Sequence, residues 1–110
     1  FDGYIFVTPE YNRATSPSLK NALDSLYHEW NNKAAGIASY GGQLGASAAF
    51  GLRPVLANLK LATVASQATF SLMTDFKNMS DFQPADYHTN SIKALFEDVL
   101  LWAQAFASIR

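Results

Sequence analysis

Hydrophobic positions along the chain form two kinds of pattern, short continuous apolar runs and one-sided helical stripes. Three runs, at residues 3–8, 34–39 and 61–65, are typical of strands that are buried on both faces of a sheet. Pro9 ends the first run because a proline cannot donate to a strand ladder. Since the runs alternate with helical stripes, the sequence predicts three parallel strands, in sequence order, joined by right-handed crossovers.

The helical stripes predict three helices, at residues 17–30, 46–59 and 90–108. The first stripe is the most regular. It follows Ser16, a residue type that favours the N-cap, and a proline occupies its first helical position. Apolar side chains then recur on one face as far as Trp30, with polar residues on the other face, which is the pattern of an amphipathic helix.

Other segments are less regular. Pro54 lies inside the second predicted helix and should kink it near Phe50, because a backbone hydrogen bond is lost there. Residues 41–45 form a glycine-rich turn between the second strand and the second helix. Residues 67–89 are polar and aromatic without a clear period, so we interpret them as one long connection.

The strand count indicates part of a larger sheet. Doubly wound sheets usually contain five or more strands, and a bare apolar edge strand promotes aggregation. In the strand order 2-1-3-4-5, the three runs correspond to strands 3, 4 and 5. We therefore expect residues 1–110 to be one partial domain, preceded by a β-α-β-α portion of about 60–75 residues.

Composition excludes several classes of partner. The chain has 110 residues, of which 49% are hydrophobic and 15% charged, enough for one small core. Its net charge of −1 and its scattered basic residues argue against nucleic acid and anionic lipid. It has no cysteine, and its two histidines, His28 and His88, do not suffice for a histidine-rich metal site. No apolar run approaches the ~20 residues of a membrane span, so we expect a cytoplasmic protein.

Candidate ligand-binding residues follow the first two strands. Ligands of open α/β sheets bind beyond the carboxyl ends of the strands, here at residues 8–13 and 39–45. Glycines in the second loop let the main chain approach a ligand closely. Each residue also has a plainer interpretation: Gly41-Gly42 as a tight turn, Tyr11 as core packing, and the Glu10 side chain as a solvated charge whose backbone alone would matter.

Four sequence blocks, in order and at sensible spacing, resemble the NAD(P)H-dependent FMN reductase and azoreductase family. The blocks are Thr-Pro-Glu-Tyr-Asn, Ser-Leu-Lys-Asn-Ala-Leu-Asp, Lys-x-x-x-Ile-x-Ser-x-Gly-Gly and Leu-Arg-Pro-Val-Leu. The resemblance covers residues 4–64. It implies a flavodoxin-like three-layer α/β/α sheet, FMN as cofactor and NAD(P)H as co-substrate. Bound FMN would pass hydride to a flavin, a quinone or an azo compound.

The resemblance also implies which residues line the isoalloxazine ring of FMN. They form two groups, one after each of the first two strands: Pro9, Glu10, Tyr11 and Asn12, and Ser39, Tyr40, Gly41 and Gly42. We assign no catalytic acid or base and no metal ligand. In the family a Ser/Arg-rich loop holds the FMN phosphate. This sequence lacks that loop, so we expect these residues alone to bind FMN weakly.

Two other functions stay open: a flavodoxin-type electron carrier without a nicotinamide site, and an inactive truncated product. We also expect a homodimer or homotetramer that associates through residues 17–30, as the resemblance implies. Tyr27 and Trp30 are large apolar groups that a monomer would expose. Arg53 is expected in a salt bridge or an interface rather than on a nicotinamide phosphate.

Overall fold

The computed structural model describes residues 1–110, which form one three-stranded sheet between two helical layers. The strands of this sheet are β1 (Gly3–Thr8), β2 (Lys33–Gly41) and β3 (Leu61–Ser71). The helices are α1 (Pro17–Asp24), α2 (Ala46–Asn58) and α3 (His88–Ala107). A short antiparallel pair, β4 (Phe76–Lys77) and β5 (Asp81–Phe82), lies between β3 and α3.

The sheet has the order β1-β2-β3 with both pairings parallel, which confirms the predicted topology. Helices α1 and α2 pack on one face, where Leu23, Ile37 and Leu52 are fully buried. Helix α3 packs on the other face, against a second apolar cluster that includes Val64 and Leu95. The chain is therefore an α/β/α sandwich of the flavodoxin-like kind.

Strand β3 extends six residues beyond the predicted 61–65, because a bulge lies within it and its second half has no continuous apolar run. The pairing of β2 with β3 shifts register between Ala35 and Ile37, so that Ile37 lies opposite Gln67. Residues 65–69 of β3 are all small or polar, so this part of the strand lacks the apolar signal of a buried strand. The prediction of one long connection at 67–89 was thus wrong at its start and in its middle.

Arg53 of α2 satisfies the backbone at this bulge. Its Nη2 donates to the carbonyl oxygens of Val64 at 3.0 Å and Ala65 at 3.4 Å, and its Nε donates to the Gln67 side chain at 2.9 Å. The expectation of a salt bridge was wrong, since the guanidinium bonds to neutral groups of β3 and holds α2 on that strand, while the alternative of an interface stays a prediction.

Helix α1 ends at Asp24, six residues before the predicted end at residue 30. The indole Nε1 of Trp30 donates to the carbonyl oxygen of Leu23 at 3.1 Å. That oxygen is the one that the N–H of Tyr27 would need in a continued helix. The Trp30 ring meanwhile packs edge-on against Tyr4, with ring centroids 5.0 Å apart. Trp30 therefore packs against the core and satisfies a carbonyl oxygen that is left without a helical partner at the end of α1.

The other two helices agree with prediction within two residues. Helix α2 continues through Pro54 as far as Asn58. Helix α3 begins at His88, two residues before its predicted start. No helix in the structure is both long enough and apolar enough to cross a membrane.

Candidate functional site

The loops after β1 and β2 meet at the carboxyl edge of the sheet. The Arg13 Nη1 donates to Gln43 Oε1 at 2.8 Å, which joins the tips of the two loops. Closer to the sheet, Glu10 Oε1 accepts a hydrogen bond from the backbone N–H of Ala48 at 2.9 Å. The structure therefore brings the two predicted groups of residues together at one place.

Glu10 caps helix α2 from a different loop. The N-cap residue of α2 is Gly45, which has no side chain to accept a hydrogen bond from the first turn. The Glu10 carboxylate takes this role at Ala48 and places a negative charge at the positive end of the helix. Its side chain is thus a structural element of the site, which the interpretation as a solvated charge missed.

Glycine is required at residue 45 of the second loop. Gly45 has a φ of +69°, and a Cβ there would lie 2.8 Å from the Cβ of Ser39 and 2.8 Å from the N of Tyr40. Leu44 also has a positive φ, of 66°. The loop is therefore a tight turn that leads directly into α2, and its shape depends on the left-handed conformation that glycine favours.

The first loop is a tight two-residue turn. Tyr11 and Ala14 exchange backbone hydrogen bonds of 2.8 and 2.9 Å, and Asn12 and Arg13 between them have φ values of 50° and 71°. Two positive φ values at the centre are typical of a type I′ turn. The turn presents the Tyr11 side chain to solvent, 56% exposed, so its ring is free to pack against a ligand.

The side chains of Ser39 and Tyr40 are occupied within the fold. Ser39 is buried, and its Oγ donates to the carbonyl oxygen of Leu44 at 2.8 Å. The Tyr40 ring packs on the α3 side of the sheet against Phe76, with centroids 5.8 Å apart. The Ser39 side chain is therefore committed within the fold, and the half-buried Tyr40 ring faces the α3 side of the sheet.

Gly41 and Gly42 differ in their surroundings. Gly41 is buried, and its carbonyl oxygen accepts from the N–H groups of Leu44 at 3.2 Å and Leu72 at 3.0 Å. Gly42 is exposed, and a Cβ added to it would meet no atom within 4 Å. The backbone N–H groups of Gly42 and Gln43 have no acceptor in the chain. The loop therefore offers two free main-chain donors beside a residue without a side chain.

Two residues near this edge were not recognised from the sequence, Asp75 and His88. Asp75 is fully buried and accepts from the backbone N–H groups of Ser71 and Ala85 and from His88 Nε2, at 2.8, 3.0 and 2.9 Å. Burial by itself would raise the pKa of Asp75, but the donors of Ala85, Ser71 and His88 hold the pKa below its ordinary value. The two residues are thirteen apart in sequence and form no recognisable motif.

The structure contains no group of three or more His, Asp or Glu side chains that could hold a metal ion. His28 is exposed on the turn after α1, and its ring lies 5.3 Å from that of Tyr27. The polar groups that converge at the carboxyl edge are therefore main-chain donors and single charged side chains, which suit an organic ligand.

Comparison with known proteins gives consistent matches. Residues 1–75 match the family model described as NADPH-dependent FMN reductase. An NAD(P)H-dependent FMN reductase of Schizosaccharomyces pombe is 38% identical over 107 residues, which are 97% of this chain and 54% of that protein. A second, from Saccharomyces cerevisiae, is 45% identical over 67 residues, which are 61% of this chain and 35% of that protein.

A third relative is an NAD(P)H-dependent FMN reductase of a Nectria species, which is 53% identical over 45 residues, 41% of this chain and 22% of that protein. The chain thus spans about half the length of the Schizosaccharomyces pombe relative and less of the other two. The matched region of the family model contains β1, β2, β3 and both loops. The chain therefore belongs to the NADPH-dependent FMN reductase family.

Proposed function

We propose that this chain supplies the isoalloxazine-binding edge of an FMN-dependent NAD(P)H oxidoreductase. The observation that carries the proposal is the pair of free N–H groups at Gly42 and Gln43, beside open space at the carboxyl edge of the sheet. An isoalloxazine is a flat apolar ring whose pyrimidine edge accepts hydrogen bonds. The donors present thus fit this cofactor, and the absence of a side chain at Gly42 leaves room for its edge.

The protein's own part in the reaction is positioning and electrostatics. Bound FMN supplies the hydride chemistry between NAD(P)H and an acceptor. The main-chain donors of the second loop would hold the pyrimidine edge and stabilise negative charge that develops on it, by the logic of an oxyanion hole. The Tyr11 ring would form an apolar wall. Glu10 and Arg13 keep the two loops at a fixed separation through their bonds to Ala48 and Gln43.

The acceptor is proposed only by class: a free flavin, a quinone or an azo compound. A flavodoxin-type electron carrier is the alternative, and it would bind FMN at the same loops without oxidising a nicotinamide. To separate the two, the full-length protein is mixed with FMN and NADPH or NADH, and absorbance at the nicotinamide band is followed. We expect FMN-dependent nicotinamide oxidation; FMN binding without any oxidation would support the carrier instead.

We also propose that the intact protein is a homodimer or homotetramer that associates through residues 17–30. Fewer exposed apolar side chains support this interface than the sequence predicted, because Trp30 packs against the core. Leu26 and Tyr27 remain 43% and 41% exposed on the turn after α1, and they are apolar groups that an interface would cover.

A further inference from the structure

The Asp75 carboxylate connects three segments of the chain at the carboxyl edge of β3. Its Oδ2 accepts from the N–H of Ser71, the last residue of β3, at 2.8 Å. Its Oδ1 accepts from the N–H of Ala85, which follows β5, at 3.0 Å, and from His88 Nε2 at 2.9 Å. An ionised carboxylate only accepts hydrogen bonds, so the Nε2 of His88 carries the hydrogen.

The His88 side chain packs against two aromatic rings. Its centroid lies 4.5 Å from that of Phe70 on β3 and 4.2 Å from that of Tyr87. His88 is the first residue of α3 and is 5% exposed. The imidazole therefore has a fixed orientation, and its bond to Asp75 joins the start of α3 to the segment after β3.

This buried pair is connected to the candidate flavin loop, residues 41–45, through the turn that follows β3. The N–H of Asp75 donates to the carbonyl oxygen of Ser71 at 2.9 Å, which closes a turn after β3. Within the same turn, the N–H of Leu72 donates to the carbonyl oxygen of Gly41 at 3.0 Å. Leu44 donates to the same oxygen at 3.2 Å. Asp75 thus holds the turn that supports Gly41.

A second contact links the same two regions through side chains. Phe76, which follows Asp75 directly, packs against the Tyr40 ring, with centroids 5.8 Å apart. Phe82 on β5 packs in turn on Phe76, with centroids 5.1 Å apart. If the turn at 71–75 moved, both the backbone and the side-chain support of the end of β2 would move with it.

We propose that Asp75 and His88 are positioning residues for the flavin loop. They fix residues 71–76 against Gly41, so that the free N–H groups of Gly42 and Gln43 are in place before a ligand arrives. A preorganised loop does not lose order on binding, so fixing it raises affinity without any direct contact to the ligand. The expected effect on flavin binding rests on the proposed function, whereas the link from Asp75 and His88 to the loop does not.

The test uses four variants of the full-length protein. Asp75→Asn places an amide NH₂ where donors already converge, and His88→Ala removes the donor to Oδ1. His88→Gln keeps a side-chain N–H that can reach Asp75. Asp98→Asn is the matched control, because Asp98 also joins α3 to β3, through the Ser66 hydroxyl, but away from the loop. Amide hydrogen exchange of Leu72 and Leu44 is measured without ligand, and FMN affinity is measured by fluorescence quenching.

We expect the Leu72 and Leu44 amides to exchange about tenfold faster or more in Asp75→Asn and His88→Ala, with FMN affinity reduced about tenfold or more. His88→Gln should lie closer to the parent, and Asp98→Asn should match it in both measurements. Unchanged exchange in both first variants would overturn the inference. So would equal effects of Asp98→Asn, since they would indicate general destabilisation.

Failure of the proposed function has a different signature. If the parent protein binds no FMN, the flavin assignment is wrong, and the amide exchange rates of Leu72 and Leu44 alone test the positioning role. Faster exchange at Leu72 and Leu44 would then support a role in fixing the loop, whereas unchanged rates would refute it.

Discussion

At the scale of single residues, the candidate site depends on side chains that reach beyond their own loop. Glu10 caps α2 at Ala48, and Arg13 bonds to Gln43 on the neighbouring loop. Gly45 supplies the positive φ that lets the second loop turn into the helix. The free donors at Gly42 are thus held by residues that need not touch a ligand themselves.

Replacing Glu10 tests the cap. Glu10→Ala removes the acceptor for the Ala48 N–H and should lower the free energy of unfolding by ~1 kcal/mol, within the range of about 0.5–2 kcal/mol for lost caps. Glu10→Gln keeps an acceptor and loses only the charge at the helix N-terminus, so its loss should be smaller. Urea unfolding measures both. Glu29→Ala, at an exposed position, is the control and should match the parent; equal losses for Ala and Gln would argue against the cap.

The buried carboxylate of Asp75 predicts a pH dependence. Its pKa in the folded protein lies below the ordinary value of 3.8, so it stabilises the fold fully above that value. The stabilisation is lost as the pH falls through the folded pKa. The unfolding free energy of the parent should therefore decline with acid below pH 3.8 more steeply than that of Asp75→Asn. Parallel profiles for the two proteins would contradict this account.

Site residues could be predicted from the sequence where their role lies within one loop, and could not where it depends on a contact with a distant segment. Tyr11 was predicted in the loop after β1 and Gly42 in the loop after β2, and both lie there and are exposed. The bond from Glu10 to Ala48 spans 38 residues, and that from Asp75 to His88 spans 13. No spacing rule within a loop or a helix predicts such pairs, because they form only after the strands are in register.

At the scale of elements, the strand order followed directly from the alternation of apolar runs and helical stripes. The boundaries did not, because tertiary contacts decided them. At the end of α1, the carbonyl oxygen of Leu23 accepts from the Trp30 indole rather than from a following helical N–H. The bulge opposite Ala35 carries β3 on to Ser71, through residues whose composition is that of a loop.

Replacing Arg53 tests whether the bulge in β3 depends on its guanidinium. Arg53→Leu keeps much of the apolar stem but leaves the carbonyl oxygens of Val64 and Ala65 without their donor. We expect a loss of ~1–3 kcal/mol in the free energy of unfolding. The exposed Lys93→Leu on α3 serves as the control and should change stability by less than about 0.5 kcal/mol. Equal stability of Arg53→Leu and the parent would show that the bulge does not need the guanidinium.

At the scale of the whole molecule, association through residues 17–30 is the prediction to check. Light scattering of the full-length protein at micromolar concentration should give a dimeric or tetrameric mass. Tyr27→Glu would place a charge in the interface and should reduce that mass, whereas Met79→Glu, at an exposed site on the β4–β5 turn, should not. A monomeric parent would refute the predicted interface.

The central claim is that the main chain at Gly42 receives the edge of a flavin, and FMN affinity of Gly42→Val tests it most directly. Gly42 has no positive φ and no atom within 4 Å of an added Cβ, so valine should leave the fold intact. With ligand bound, the β-branched side chain would stand where the ring edge must lie. FMN fluorescence quenching with the full-length protein should show strongly weakened binding for Gly42→Val and parental binding for His28→Ala. Parental affinity in Gly42→Val would contradict the site and the proposed function with it.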